Sequence, residues 1–278
     1  MMAESMPEFL ASRAQLVGAV LARLAPAASQ PPEAVHRAMR YTLLAPSKRV
    51  RASLTLLSAD LCGAEQLAMP AAVAIEMVHA SSLILDDLPA MDNAPYRRGR
   101  PANHQEFGEG MAILASVGLL NLAFETLAGA YDPPLAQRLV LLFAGTIGSE
   151  GLIGGQADDL QARDRQLPLA RLEHIHRRKT AVLFSAAARA GTAVAGAGDE
   201  LTTMAAAYAE RVGLAFQIID DLLDADAEES PFRTAEGRAD GRRRALELRD
   251  EALRTIQPLG DRAARLQELA AFVVDRTR

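Results

Sequence analysis

Apolar residues recur at spacings of three and four through nearly the whole chain, the period of an α-helix with one buried stripe, and the pattern stops where proline or glycine intervenes. Half of the residues are apolar but only 4% are aromatic, and tryptophan is absent. The apolar half is therefore dominated by alanine and leucine, which favour helix, over the β-branched and aromatic residues that favour strand. This predicts an all-α fold of about ten helices, near 8–24, 32–44, 49–61, 70–87, 109–130, 133–148, 168–191, 200–225, 238–257 and 260–276. Pro31-Pro32, Pro70, Pro133-Pro134 and Pro168 each open one of them. No repeat, low-complexity tract or flexible linker interrupts the series, so residues 1–278 read as a single domain.

Composition excludes several classes. One cysteine, Cys62, forms no internal disulfide, which fits a reducing cytoplasm. The formal charge of −5 gives no broad field for nucleic acid. The longest apolar stretches, 111–124 and 180–198, are short or charged beside the roughly 20 residues of a membrane span, so no span is expected. Early glutamates and arginines argue against a signal peptide. Of the 30 basic residues only Lys48 and Lys179 are lysine. Where arginine serves almost everywhere else, two surviving lysines suggest sites that need a compact ammonium, such as phosphate pockets, although chance is the plainer explanation of that count.

Two carboxylate clusters break the greasy pattern. Asp86 and Asp87 end an apolar helix, with Asp92 just past the break at Pro89; Asp220 and Asp224 lie one turn apart beside Asp221, among Ile and Leu. Like charges on one face repel, and burying an unpartnered carboxylate costs several kcal/mol, so a counter-cation is needed. Oxygen donors without neighbouring Cys or His favour a hard ion, Mg²⁺. Taken singly each cluster reads more simply as a solvated helix end; two in one chain do not. The runs Lys48-Arg49-Val50-Arg51, Tyr96-Arg97-Arg98-Gly99-Arg100 and Arg177-Arg178-Lys179-Thr180 add cations. Carboxylates holding Mg²⁺ beside guanidinium forks describe a diphosphate site.

The segments Glu76-Met-Val-His-Ala-Ser-Ser-Leu-Ile-Leu-Asp-Asp-Leu-Pro-Ala-Met-Asp92, Arg97-Arg-Gly-Arg-Pro101, Gly154-Gly-Gln-Ala-Asp-Asp-Leu160, Lys179-Thr180 and Phe216-Gln-Ile-Ile-Asp-Asp-Leu-Leu-Asp224 stand in the order found in trans-prenyl diphosphate synthases. Over most of its length the chain resembles that family, and most closely the bacterial geranylgeranyl diphosphate synthases. The resemblance implies a polyprenyl synthetase domain, an all-α isoprenoid-synthase bundle around a central cavity, and a homodimer. It implies Asp86, Asp92, Asp220 and Asp224 as Mg²⁺ ligands, with Asp87 and Asp221 in support. Arg97, Lys179, Thr180 and Gln217 would hold the allylic diphosphate (dimethylallyl, geranyl or farnesyl), and Lys48, Arg51, His79 and Arg98 isopentenyl diphosphate.

The implied reaction is ionisation, condensation and elimination, with the proton lost to released diphosphate. Ser81 and Ser82 stand where members that stop at fifteen carbons carry a bulky aromatic, and Met77 lies about one turn, about 5.4 Å, deeper. These three positions favour a twenty-carbon product; a farnesyl diphosphate synthase, a weakly active modifying subunit and a class I terpene cyclase are the alternatives. Two stretches depart from the family. Ala45-Pro46-Ser47 replaces a glycine pair before Lys48. The segment from Ala225 to Gly237 is short and lacks the family's lysine, leaving Arg233 or Arg238 as the nearest cations.

Overall fold

A computed structural model describes residues 4–162, 167–223 and 234–276. Among them the chain is helical almost throughout, in the order α1 (Met6–Leu24), α2 (Glu33–Leu43), α3 (Val50–Asp60), α4 (Met69–Asp86), α5 (Asn103–Phe107), α6 (Glu109–Ala130), α7 (Pro133–Ile147), α8 (Leu152–Ala162), α9 (Leu169–His176), α10 (Val182–Val194), α11 (Asp199–Leu223), α12 (Ala235–Ile256) and α13 (Ala264–Asp275). The described strands are β1 (Tyr96–Arg97) and β2 (Arg100–Pro101), one antiparallel hairpin. The chain divides into two compact units, Met1–Pro7 with Leu54–Ala68 and Leu141–Arg278, and Glu8–Ser53 with Met69–Val140.

The unit built from Glu8–Ser53 and Met69–Val140 is organised around α4. From Ala71 to Val78 every residue of α4 is buried, so the helix is apolar on all sides and packs against α2 and α6. Its first turn is closed by the Tyr131 hydroxyl, which accepts from the Ala71 N–H at 3.1 Å; burial pushes the Tyr131 pKa up to about 12. Arg40 donates to the carbonyls of Ala22 and Ala25, closing the C-terminal end of α1 with a cation as the helix dipole favours.

In the other unit α11 is central, packing on α10, α12 and α13. Gly191 was expected to end a helix, but α10 continues through it to Val194. A Cβ there would lie 2.2 Å from the Thr55 carbonyl oxygen, so the glycine serves the close approach of α3 and α10. The Thr234 hydroxyl caps α12 by accepting from the Gly237 N–H at 3.0 Å. Arg244 ties α12 to α9 through Glu173 at 2.7 Å, and the hydrogen bonds it donates to Glu173 and Glu251 raise its pKa above the ordinary arginine value against the pull of burial.

Three departures from the sequence reading bear on the site. Helices α5 and α8 were not expected. The helix expected over 168–191 is broken by a π-helical turn at Arg177–Ala181. The expectation that no stretch could span a membrane needs correction: Glu65–Asp86, Glu109–Ala130 and Pro133–Ala162 are long and apolar enough. In α4 that apolarity is taken up by burial within its own unit.

Candidate active site

The first acidic motif forms where α4 ends. The Asp92 N–H donates to the Asp86 carbonyl at 2.8 Å, folding the chain back past Pro89 so that the two residues stand at either side of one backbone hydrogen bond. Asp87 is buried, and Arg97, carried in by the hairpin, grips it with Nε at 3.0 Å from Oδ1 and 3.2 Å from Oδ2 while Nη2 also reaches Oδ1. Burial works to lower the Arg97 pKa, but the Asp87 hydrogen bond and the charges of Asp87, Asp86 and Asp92 outweigh it and raise the pKa. Arg97 therefore sits within the field of all three aspartates, and its fork is committed to Asp87. The allylic-diphosphate role expected of it would require that fork to open or share.

Cations crowd the flank of the same unit. The hairpin turn places Arg98 and Gly99 at φ 54° and 72°. Arg51 donates through Nη1 to His79 Nε2 at 3.2 Å; a guanidinium only donates, so Nε2 accepts and the imidazole proton lies on Nδ1. Burial first, then the charges of Arg51, Arg98, Arg49 and Arg97, hold the His79 pKa well below its ordinary value. Burial and the charge of Arg49 likewise lower the Arg98 pKa. Of the four guanidinium groups that act on this neutral imidazole, those of Arg49 and Arg97 are paired with Glu76 and Asp87, and a multiply charged anion would add compensating charge beside Arg51 and Arg98. Lys48, the fourth residue expected at an isopentenyl diphosphate site, is exposed three residues before Arg51.

Arg49 is a residue sequence reasoning missed. Its side chain is buried and bonded to Glu76 Oε2 at 3.1 Å and to the carbonyls of Leu43 and Ala45, while Glu76 Oε1 accepts from the Ala52 N–H at 3.1 Å. One buried ion pair therefore joins the end of α2 to the start of α3, fixing the loop that bears Lys48. A lone glutamate inside the apolar run of α4 was the available signal, since such a group needs a buried cation.

The other unit carries the second motif. The glycines of Gly154-Gly-Gln-Ala-Asp-Asp159 bring α8 against the π-helical turn: a Cβ on Gly155 would lie 2.4 Å from the Lys179 nitrogen, and one on Gly154 2.1 Å from Arg178 Nη2. There Lys179 Nζ donates to Asp159 Oδ2 at 2.6 Å and Arg178 Nη1 to Asp158 Oδ2 at 2.7 Å. Thr180 Oγ1 donates to Gln217 Oε1 at 2.8 Å, Gln217 Nε2 donates to Asp221 Oδ1 at 2.7 Å, and His176 Nε2 lies 3.2 Å from Asp221 Oδ2. Asp220 is held by Arg276, Nη2 to Oδ1 at 2.6 Å. Thr180, Gln217 and Asp221 thus form one continuous chain of hydrogen bonds, which His176 meets at Asp221; His176 and, beside that chain, Asp158, Asp159 and Arg276 were not expected. Asp224 and Arg233 lie outside the described residues, and Arg238 is in the first turns of α12.

Among the described residues no group of three His, Cys, Asp or Glu side chains converges as a ready metal cage. The donor chemistry nevertheless suits Mg²⁺: Asp86, Asp92 and Asp220 offer only hard oxygen, and this ion takes one or two carboxylates with water and phosphate oxygens completing its shell.

The three positions expected to govern chain length lie on α4. Met77 is fully buried, with Thr126 of α6 donating towards its sulfur at 3.9 Å. Ser81 is buried, its hydroxyl 2.9 Å from that of Ser116, which also donates to the Ser81 carbonyl at 3.1 Å. Ser82 is half-buried and donates back to the His79 carbonyl at 2.9 Å. Ser81 therefore faces α6, and space for a larger residue there depends on Ser116.

Residues 32–235, more than half of the chain, match the family described as Polyprenyl synthetase. The chain belongs to that family. Among polyprenyl synthetases it is 38% identical over 293 residues to a dimethylallyltranstransferase of Fischerella ambigua, covering 98% of this chain and 84% of that one. It is 40% identical over 271 residues to the chloroplastic geranylgeranyl pyrophosphate synthase 11 of Arabidopsis thaliana, covering 89% and 76%. It spans a smaller share, 60%, of the heterodimeric geranylgeranyl pyrophosphate synthase large subunit 1 of the same plant. Among solved structures, an apo FPP/GFPP synthase of Zymomonas mobilis superposes with a TM-score of 0.88 at 32% identity, covering 97% of this chain and 98% of that one. A geranylgeranyl pyrophosphate synthetase of the archaeon Geoglobus acetivorans gives 0.86 at 29%, covering 97% and 100%. The all-α polyprenyl synthetase fold is thus common to chains of closely similar length.

Proposed function

We propose that this prenyltransferase condenses isopentenyl diphosphate with an allylic diphosphate and releases geranylgeranyl diphosphate, using Mg²⁺. The observation that carries the reading is that each acidic motif stands among cationic side chains, Arg97 on Asp87 in one and Lys179 on Asp159 and Arg276 on Asp220 in the other, with Arg51 held against a neutral His79 beside the first. Asp86 and Asp92 in one unit, and Asp220 in the other with Asp224 beyond the described residues, are the carboxylates that would hold Mg²⁺. When bound, Mg²⁺ supplies neutralisation of the charge that builds on departing diphosphate.

The chain's own residues do the rest. Lys48, Arg51 and Arg98 bind the diphosphate of isopentenyl diphosphate, and His79, holding its proton on Nδ1, keeps Arg51 in place through Nε2. Lys179 and Thr180 bind the allylic diphosphate, Thr180 being set by the hydrogen-bonded chain through Gln217 to Asp221. The proton released on elimination passes to the departing diphosphate, so no protein base is assigned. The apolar wall of α4 keeps water from the allylic cation.

The corresponding assembly is a cytoplasmic homodimer; exposed Ile113, Leu114 and Val117 on α6 and a free cysteine support it. Incubation of purified protein with Mg²⁺, isopentenyl diphosphate and each allylic primer, followed by chromatography, tests the activity: a twenty-carbon product is expected. No elongation with any primer overturns the reading, and fifteen carbons as the limit overturns the chain length.

A further inference from the structure

The C-terminal end of α13 delivers a cation to the second acidic motif. Arg276 Nη2 donates to Asp220 Oδ1 at 2.6 Å and to the Phe216 carbonyl at 2.8 Å, and its guanidinium carbon lies 3.9 Å above the Phe216 ring. The Arg276 side chain is 7% exposed and that of Asp220 is 40% exposed. The arginine thus approaches the carboxylate from the protein side and leaves its outer side to solvent. Two of its three partners belong to Phe216, so the guanidinium could release Oδ1 and still keep a carbonyl and an aromatic face.

We propose that Arg276 is the resident counter-cation of Asp220, a positioning residue that a divalent metal ion must displace from that carboxylate. The proposal rests on reading Asp220 as a metal-binding residue. A metal bound at about 2.1 Å from an oxygen that already receives a guanidinium at hydrogen-bond distance would meet a like charge at close range. The metal-free motif is thereby kept satisfied, and its affinity for the ion is held down until the ion arrives with an anion that contributes further ligands.

Mn²⁺ titration of the full-length protein, without substrate and read by the electron paramagnetic resonance of free ion, tests this. Arg276→Gln should tighten binding about two- to fivefold, the range expected when one partly exposed charge contact is removed. Arg276→Lys, which keeps the charge beside Phe216, should stay near wild type, and Asp220→Asn should weaken binding. Unchanged or weaker affinity in Arg276→Gln, with the Asp220→Asn loss present, overturns the latch alone. No loss in Asp220→Asn overturns both the latch and the metal role of Asp220.

Should Arg276→Gln fail to fold, the wild type gives a second measurement through phenylglyoxal modification of Arg276 followed by mass spectrometry. Saturating Mn²⁺ should speed that labelling; an unchanged or slower rate overturns the proposal.

Discussion

Arg98 occupies the first position of a two-residue hairpin turn in which both residues have positive φ, a place that asparagine fills at lower cost. Left-handed backbone costs a long L-residue about 1–2 kcal/mol, and a charged side chain kept there must serve something other than the turn. Arg98→Asn is expected to stabilise the chain by about 1 kcal/mol in urea unfolding while raising the KM for isopentenyl diphosphate at least tenfold.

Arg49 has the opposite character. Truncation to Met leaves Glu76 buried without its cation, a loss of about 3–5 kcal/mol that chemical denaturation would detect.

His79 adds a pH dependence. Its folded pKa lies well below 6.5, so between the two values the unfolded chain binds the proton and the folded one does not. Stability is therefore full above pH 6.5 and falls as the pH drops below it, by up to about 1.4 kcal/mol per pH unit. His79→Gln, whose side-chain oxygen can replace Nε2 as acceptor, should flatten the melting temperature between pH 6.5 and 5. A profile identical to wild type would contradict the assignment of this slope to His79.

At the level of elements, periodicity made the helices legible and concealed the reason for some of their ends. The bounds of α6 match the expected stretch, and those of α1, α3 and α7 lie within two residues of it, because each has a proline or glycine break and an apolar stripe. Helix α8 went unread: in Leu152-Ile-Gly-Gly-Gln-Ala-Asp-Asp, low helix propensity comes from glycines whose purpose is contact with the π-helical turn, and contact across more than twenty residues leaves no local trace. The acidic motifs were visible as motifs, whereas the committed bond between Arg97 and Asp87 and the arrival of Arg276 at Asp220 depend on tertiary placement.

Gly155→Ala should drive α8 from the Lys179 backbone. A loss of several degrees in melting temperature and a drop in kcat larger than any change in the KM for isopentenyl diphosphate are expected. Ser81→Phe must push against Ser116 of α6, an overpacking cost of about 1–3 kcal/mol. We expect it to shorten the product to fifteen carbons, and Ser116→Gly in the same chain to recover stability while keeping the short product. Product chromatography and thermal melts separate the two effects.

For the whole molecule, the exposed Ile113, Leu114 and Val117 belong to a helix whose opposite side is buried, and in the homodimer proposed above a second copy of the chain would cover them. Sedimentation velocity is expected to give a dimer for the wild type and monomer for Val117→Asp at micromolar concentration. The scarcity of lysine has a separate use. Lys48 lies in one compact unit and Lys179 in the other. Reductive methylation with ¹³C-formaldehyde would therefore place one spectroscopic tag in each half of the protein, besides the amino terminus. On the binding roles proposed for the two lysines, two side-chain resonances would then follow the arrival of two different diphosphates separately, with no engineered label.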